Sequence, residues 1–181
     1  IKMKKKQAKE MLWFLEHKSI FTAGTSAKEI DQNIKNKKLI RYVGRGGQWT
    51  WHGPGQRVVY IMLDLKKRDK DIKNYINNLE QWIISTLKFF KIDAITQEGY
   101  PGVWIKKNNT FFKIASVGVR ISHWITWHGI SINVNPNLKP FEEIVPCGVR
   151  NGFVTSIEKE GKNISLNQFD KKLKENFSSF F

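Results

Sequence analysis

Between residues 71 and 90, apolar side chains recur at intervals of three and four: Ile72, Tyr75, Ile76, Leu79, Trp82, Ile83, Leu87 and Phe90. That spacing gathers them into one stripe of an α-helix, and the stripe must be buried against other structure. Asp69 and Asp71 stand at the start, where carboxylates complement the unpaired amides of a first turn. The surrounding sequence offers short β-branched and aromatic runs between turn signals. Strands are expected at 11–17, 39–43, 58–63, 94–96, 103–106, 111–121 and 128–134. The first of these does not alternate cleanly, so it is expected to be buried on both sides. Residues 19–26 read as a turn-rich segment around Ala23-Gly24, and 31–38 as polar surface. Asn108-Asn109 reads as a hairpin turn, 140–144 as a short helix and 166–177 as a C-terminal one. Strands around one long helix predict an α/β (α+β) domain, a mixed β-sheet flanked by helices.

The length of 181 residues fits one domain, 1–181, with one sizeable core. A single cysteine excludes disulfide-stapled folds and cysteine-rich zinc sites, and a lone free thiol suits a reducing compartment such as the cytoplasm. The net charge is +15. Such a surface attracts polyanions or simply keeps the protein dispersed, and composition leaves both open. The basic start and the apolar run at 11–15 imitate a signal peptide, but five apolar residues are too few for a secretory core or a membrane span. The chain begins with Ile1 rather than Met, so its N-terminus is expected to be incomplete.

Four histidines, at 17, 52, 123 and 128, lack the spacing of a zinc-protease helix, and no catalytic metal is expected. Gly44-Arg45-Gly46-Gly47 has the glycine content of an anion nest, yet lacks the Lys-Ser/Thr ending of a P-loop and runs into Gln48-Trp49-Thr50 rather than a helix. Such a loop can equally press its backbone against an acyl chain or a thioester carbonyl. Thr50-Trp51-His52-Gly53 recurs as Thr126-Trp127-His128-Gly129, so a strand end carrying an aromatic and a histidine could serve twice around one pocket.

Cys147 stands in an apolar turn between Pro146 and Gly148. It is either a small buried hydrophobe or a thiol held for nucleophilic attack. Lys113 lies in the apolar run Phe111-Phe112-Lys113-Ile114-Ala115. There it either snorkels to the surface or is desolvated, which favours the neutral amine and makes it a candidate base. A constrained thiol and a lysine of this kind together suggest acyl transfer through a thioester.

At these residues the chain resembles the lipoyl(octanoyl) transferase family. The signature is Arg45-Gly46-Gly47-Gln48-Trp49-Thr50-Trp51-His52-Gly53-Pro54-Gly55-Gln56, with Trp49 replacing a small apolar residue and Trp51 a tyrosine. Lys113-Ile114-Ala115-Ser116-Val117-Gly118-Val119 matches the segment of the family's catalytic lysine. Thr126-Trp127-His128-Gly129, Asn133-Val134-Asn135 and Pro146-Cys147-Gly148 match those leading to its catalytic cysteine. Glu16-His17 and Thr22-Ala23-Gly24 match the early strand and loop, while His123 replaces a common Arg or Lys. The likeness runs from about Trp13 to Ser156, and several motifs in the right order are more specific than any one.

The resemblance implies the fold of biotin and lipoate protein ligases, and the activity of an octanoyl-[acyl-carrier-protein]:protein N-octanoyltransferase needing no cofactor. Acyl carrier protein would supply the acyl group. A lysine on a lipoyl domain, of a 2-oxoacid dehydrogenase subunit or of the glycine-cleavage carrier protein, would receive it. Neither nucleic acid nor membrane is an implied partner. Cys147 would be the nucleophile and Lys113 the acid/base. Arg45, Gly46, Gly47, Gln48, Thr50, His52, Gly53, Ser116, Val117, Gly118, His128 and Gly129 would bind substrate, with amides near Cys147 and Gly46-Gly47 facing the oxyanion. Arg45, Arg57, Lys106, Lys107, Arg120 and Arg150 flank the motifs and are expected at the pocket mouth, where they would steer an acidic carrier. An ATP-dependent lipoate ligase is the alternative on the same fold, and a basic nucleic-acid-binding module the non-enzymatic one.

Overall fold

Alternation along β5 (Gln56–Met62) sets the frame: Val59 and Ile61 are fully buried on one face, while Val58 and Tyr60 turn to the other. The computed structural model describes residues 9–145 and 153–181, so Cys147 and Arg150 lie outside the described residues. Strand β5 pairs antiparallel with β1 (Met11–Leu15) on one side and β8 (Ile125–Asn133) on the other. Beyond β8 come β7 (Thr110–Ser122) and β6 (Val103–Lys107), and β9 (Phe153–Val154) adds to β7 in parallel, which makes the sheet mixed. A smaller sheet has β2 (Ile20–Ala23) at its centre, parallel to β3 (Ile40–Tyr42) and antiparallel to β4 (Trp49–His52). The expectation of one mixed sheet flanked by helices therefore gains a second layer of strands.

Both helices cover the Val59–Ile61 face. In α1 (Ile72–Phe89) the stripe Tyr75, Leu79, Trp82, Ile83 and Leu87 is buried, and the side chain of Asp71 accepts from the Asn74 amide as N-cap. α2 (Leu166–Asn176) begins with a capping box between Ser165 and Gln168 and buries Phe169 and Leu173. The indole N–H of Trp82 donates to Leu173 O at 2.8 Å, tying the helices together. The core of the smaller sheet is separate, built on Phe21, Trp49, Trp51 and Phe141.

Several expectations change. β1 is an edge strand and does alternate: Met11 and Trp13 are exposed, while Leu12 and Phe14 pack on the core. Its apolar run reflects two outward aromatic and thioether residues, not burial on both faces. Residues 19–26 contain β2, because Ile20 to Ala23 find partners on both sides that local sequence does not reveal. Residues 94–96 reduce to one bridge between Ile95 and Trp104. The helix expected at 140–144 is a 3-10 segment, Lys139–Glu143. Within 31–38, Asp31 and Ile34 are buried, Ile34 in the second core.

Candidate active site

The inner faces of the two sheets enclose a cleft of about 180 Å³ whose lining is mostly apolar. Of the residues expected to bind substrate, Arg45, Gly47, Gln48, Thr50 and His52 line it from the smaller-sheet side. Ser116, Val117, Gly118, His128 and Gly129 line it from the larger sheet. His52 and His128, the histidines of the repeated tetrapeptide, thus meet in one cavity. Gly46 and Gly53 do not line it. The Gly46 amide donates to Val119 O at 2.9 Å, which docks the glycine loop on β7 and removes that N–H as an oxyanion donor. Gly53 lies against the Trp51 indole, where a Cβ would meet ring carbon Cζ2 at 2.1 Å.

The loop before β4 is held by backbone contacts. Gly24 N–H donates to Gln48 O, Thr25 N–H to Arg45 O and Ser26 N–H to Gly47 O. A Cβ on Gly24 would stand 2.2 Å from Gly47 O, so only glycine admits this approach. Arg45 is 8% exposed, and its guanidinium donates to Thr22 O at 2.7 Å, Thr22 Oγ1 at 2.8 Å and Gly46 O at 3.0 Å. It fastens the loop to β2 and lends positive potential to the cleft.

The imidazoles are kept neutral. Burial pulls His52 down to about 4, with the charge of Arg45 acting in the same direction. Gln56 spends its amide donors on Trp51 O and Asn133 Oδ1, so its Oε1 accepts, and His52 Nδ1, 2.6 Å away, carries the proton. His52 Nε2 is then an acceptor. Burial also lowers His17 and His128, the latter further through Arg45 and Arg120. His17 Nε2 is 2.7 Å from the Tyr60 hydroxyl, and Tyr60 sits edge-on to His128. The backbone at His128 is left-handed (φ 61°), a strained setting for a non-glycine residue inside a strand.

Lys113 does not line the cleft, but it shares a sheet face with it. The β6–β7 register slips by one residue, with Val103 opposite Ala115 and Trp104 opposite Lys113. Ile114 and Ala115 both point into the helix-side core, and this bulge reverses the alternation. Lys113 and Trp104 are therefore turned to the face that bears Ser116. The lysine is 2% exposed, so it does not snorkel; its Nζ donates to Pro101 O at 2.7 Å and lies 4.8 Å from the Trp104 ring centre.

Among the expected steering residues, Arg120 packs beside Gly44, close to the cleft. Arg57 does not lie at the mouth. It is buried and paired at 2.7 Å with Asp170 of α2, because β5 alternation turns it to the helix face. Lys107 pairs with Glu160 and Lys106 lies over Phe111. Sequence reasoning missed Tyr60, Arg41, Val43, Val58 and Ser131 as cleft residues. Tyr60 and Val58 were recoverable from β5 alternation, whereas Arg41 and Val43 needed the second sheet. Among the described residues no group of three His, Cys, Asp or Glu side chains could hold a metal ion, and no helix is long and apolar enough to cross a membrane.

The family described as lipoyl protein ligase A/B catalytic domain matches residues 2–178. An octanoyltransferase of Bartonella quintana (strain Toulouse) is 45% identical over 183 residues, spanning 96% of this chain and 75% of that protein. One from Wolbachia pipientis (subsp. Culex pipiens, strain wPip) is 46% identical over 173 residues, spanning 95% and 84%. Among solved structures, a bipartite archaeal lipoate protein ligase from Thermoplasma acidophilum superposes with a TM-score of 0.75 at 17% identity, over 96% of this chain and 71% of that one. A lipoate-protein ligase A bound with ATP gives 0.74 at 15%, over 96% and 73%. These two share the fold.

Proposed function

Because the chain belongs to the lipoyl protein ligase A/B catalytic-domain family, we propose a division of labour among its residues for octanoyl transfer. The protein is an acyltransferase that moves octanoyl groups in protein lipoylation, acting on lipoyl-accepting proteins. In our reading the donor is octanoyl-acyl carrier protein in the cytoplasm. The acceptor is a lysine amine on a lipoyl domain of a 2-oxoacid dehydrogenase subunit or of the glycine-cleavage carrier protein.

Lys113 takes the proton of Cys147, and the thiolate attacks the thioester carbonyl. The carbon–sulfur bond to phosphopantetheine breaks, and the departing thiolate takes the proton from Lys113. The acceptor amine then attacks the acyl-enzyme. An amide forms, the bond to Cys147 breaks, and the amine's proton passes through Lys113 back to the cysteine. The acyl chain lies in the cleft, where neutral imidazoles add little desolvation cost beside an alkyl group. Ser116 and His128, which line the cleft, orient the head end. The observation that supports this reading is an apolar cleft on the same sheet face as a buried lysine.

The test is intact-mass analysis after mixing the protein with octanoyl-acyl carrier protein, without ATP. An added octanoyl group that hydroxylamine removes, and that Cys147→Ser lacks, is expected. A product that requires free octanoate and ATP, with no covalent adduct, would convert the assignment to a ligase.

A further inference from the structure

One peptide group in the turn before β6 is held at both ends by side chains of opposite charge. The N–H of Gly102 donates to Oε1 of Glu80 at 2.7 Å. The carbonyl of Pro101, the other half of the same peptide unit, accepts from Nζ of Lys113 at 2.7 Å. A trans peptide points its N–H and C=O in opposite directions, so carboxylate, peptide and amine form one chain of hydrogen bonds. Each bond polarises the peptide in the sense that strengthens the other.

The surroundings hold this chain in place. Glu80 follows Leu79 in α1, within the stretch that packs against the sheet, and is 9% exposed. Gly102 has φ 122°, and a Cβ there would stand 2.6 Å from Ala115 O and 2.7 Å from Lys113 Cε. The peptide can press against the lysine only because that position is glycine. Burial pushes the Glu80 carboxyl up, while the Gly102 amide and the charge of Lys113 pull the other way. Of the described elements packed around Lys113, α1 contributes Glu80, β6 the uncharged Trp104, and the segment after β9 the Thr155 amide, which donates to Lys113 O. Pro101 O is one fixed point for the Lys113 ammonium, and Glu80 orients that carbonyl through the peptide they share.

We propose that Glu80 is a positioning residue: acting through the Pro101–Gly102 peptide, it fixes where the Lys113 Nζ stands. The inference rests on the reading of Lys113 as acid/base for its catalytic meaning, but not for its physical content. A lysine that passes a proton between two acyl transfers needs a defined position. Glu80 contributes to it from outside the cleft.

The test uses Glu80→Leu, which removes the acceptor of the Gly102 amide, and Glu80→Gln, which keeps one. The carbon-13 resonance of Lys113 Cε at fixed pH, assigned by its loss in Lys113→Arg, reads the surroundings of the amine directly. It should shift in Glu80→Leu and stay close to wild type in Glu80→Gln. An unmoved resonance in Glu80→Leu, or an equal shift in both variants, overturns the proposal. Octanoyl transfer tests the underlying reading separately. If kcat falls about tenfold or more in Glu80→Leu with KM unchanged, as misplacing a reacting group by a fraction of an ångström does, and recovers in Glu80→Gln, both stand. If the resonance moves and kcat does not, the Glu80 coupling stands and Lys113 is not the acid/base.

Discussion

Acidification should weaken this protein through His52, and the size of the effect follows from its setting. An exposed histidine titrates near 6.5, whereas burial holds His52 at about 4. Between those values the unfolded chain binds a proton that the folded protein refuses, so stability falls as pH falls. The contribution is complete above pH 6.5 and lost as pH drops towards 4. The gap is about 2.5 pH units; at roughly 1.36 kcal/mol per unit, about 2.5 kcal/mol is gone by pH 4.5. Urea unfolding of wild type and His52→Gln at pH 7.5 and 4.5 isolates the term. The amide of glutamine can still donate to Gln56 Oε1, and the other titrating groups are common to both proteins. These include His17 and His128, lowered like His52, and Glu80 and Asp170, whose raised carboxyls act in the opposite sense. Wild type should lose about 2.5 kcal/mol more than the variant, a difference of about 1 M in urea midpoint for a slope near 2 kcal/mol/M. Equal losses within about 0.5 kcal/mol, well below the linked term, would refute the claim that the cleft holds His52 neutral.

Further outcomes follow from other contacts. Arg57→Met leaves Asp170 of α2 buried without its 2.7 Å partner and should cost about 3 kcal/mol, largely restored by Asp170→Leu in the same chain. Chemical denaturation checks this, and a cost below about 1 kcal/mol would mean the pair is solvated. Gly24→Ala forces a methyl to within 2.2 Å of Gly47 O and should destabilise by about 1–3 kcal/mol while slowing octanoyl transfer, read from melting curves and turnover. An unaltered melting temperature would show that the loop yields freely. If the +15 charge steers an acidic carrier, raising salt from 0.1 to 1 M shortens the screening length from about 10 to about 3 Å and slows the second-order reaction with acyl carrier protein. The rate with a small octanoyl thioester should hardly change; a parallel fall would place the salt effect in the enzyme itself.

The long helix was legible in the sequence because its stripe and its capping Asp71 are local features, complete within one segment. So were β5, β7 and the turns at Gly44–Gly47, Asn108-Asn109 and Gly55, since alternation and glycine content do not depend on distant partners. The signature residues could be picked out by resemblance, and most of them come together in the cleft. What the sequence could not decide was anything that depends on pairing between distant segments. β2 is a strand only because β3 and β4 flank it, and Met11 and Trp13 are exposed only because β1 lies at an edge. Gly46 and Gly53 have the same composition as their cleft-lining neighbours but face Val119 and Trp51 instead. Simple alternation from Ser116 sends Lys113 into the helix-side core. The extra residue at Ile114 sends it the other way, and a one-residue bulge leaves no mark in composition because its cause is the register of β6. Glu80 lay unnoticed on the helix for the same reason: its partner is a peptide group 22 residues away, and only the packed sheet and helix bring the two within hydrogen-bond reach.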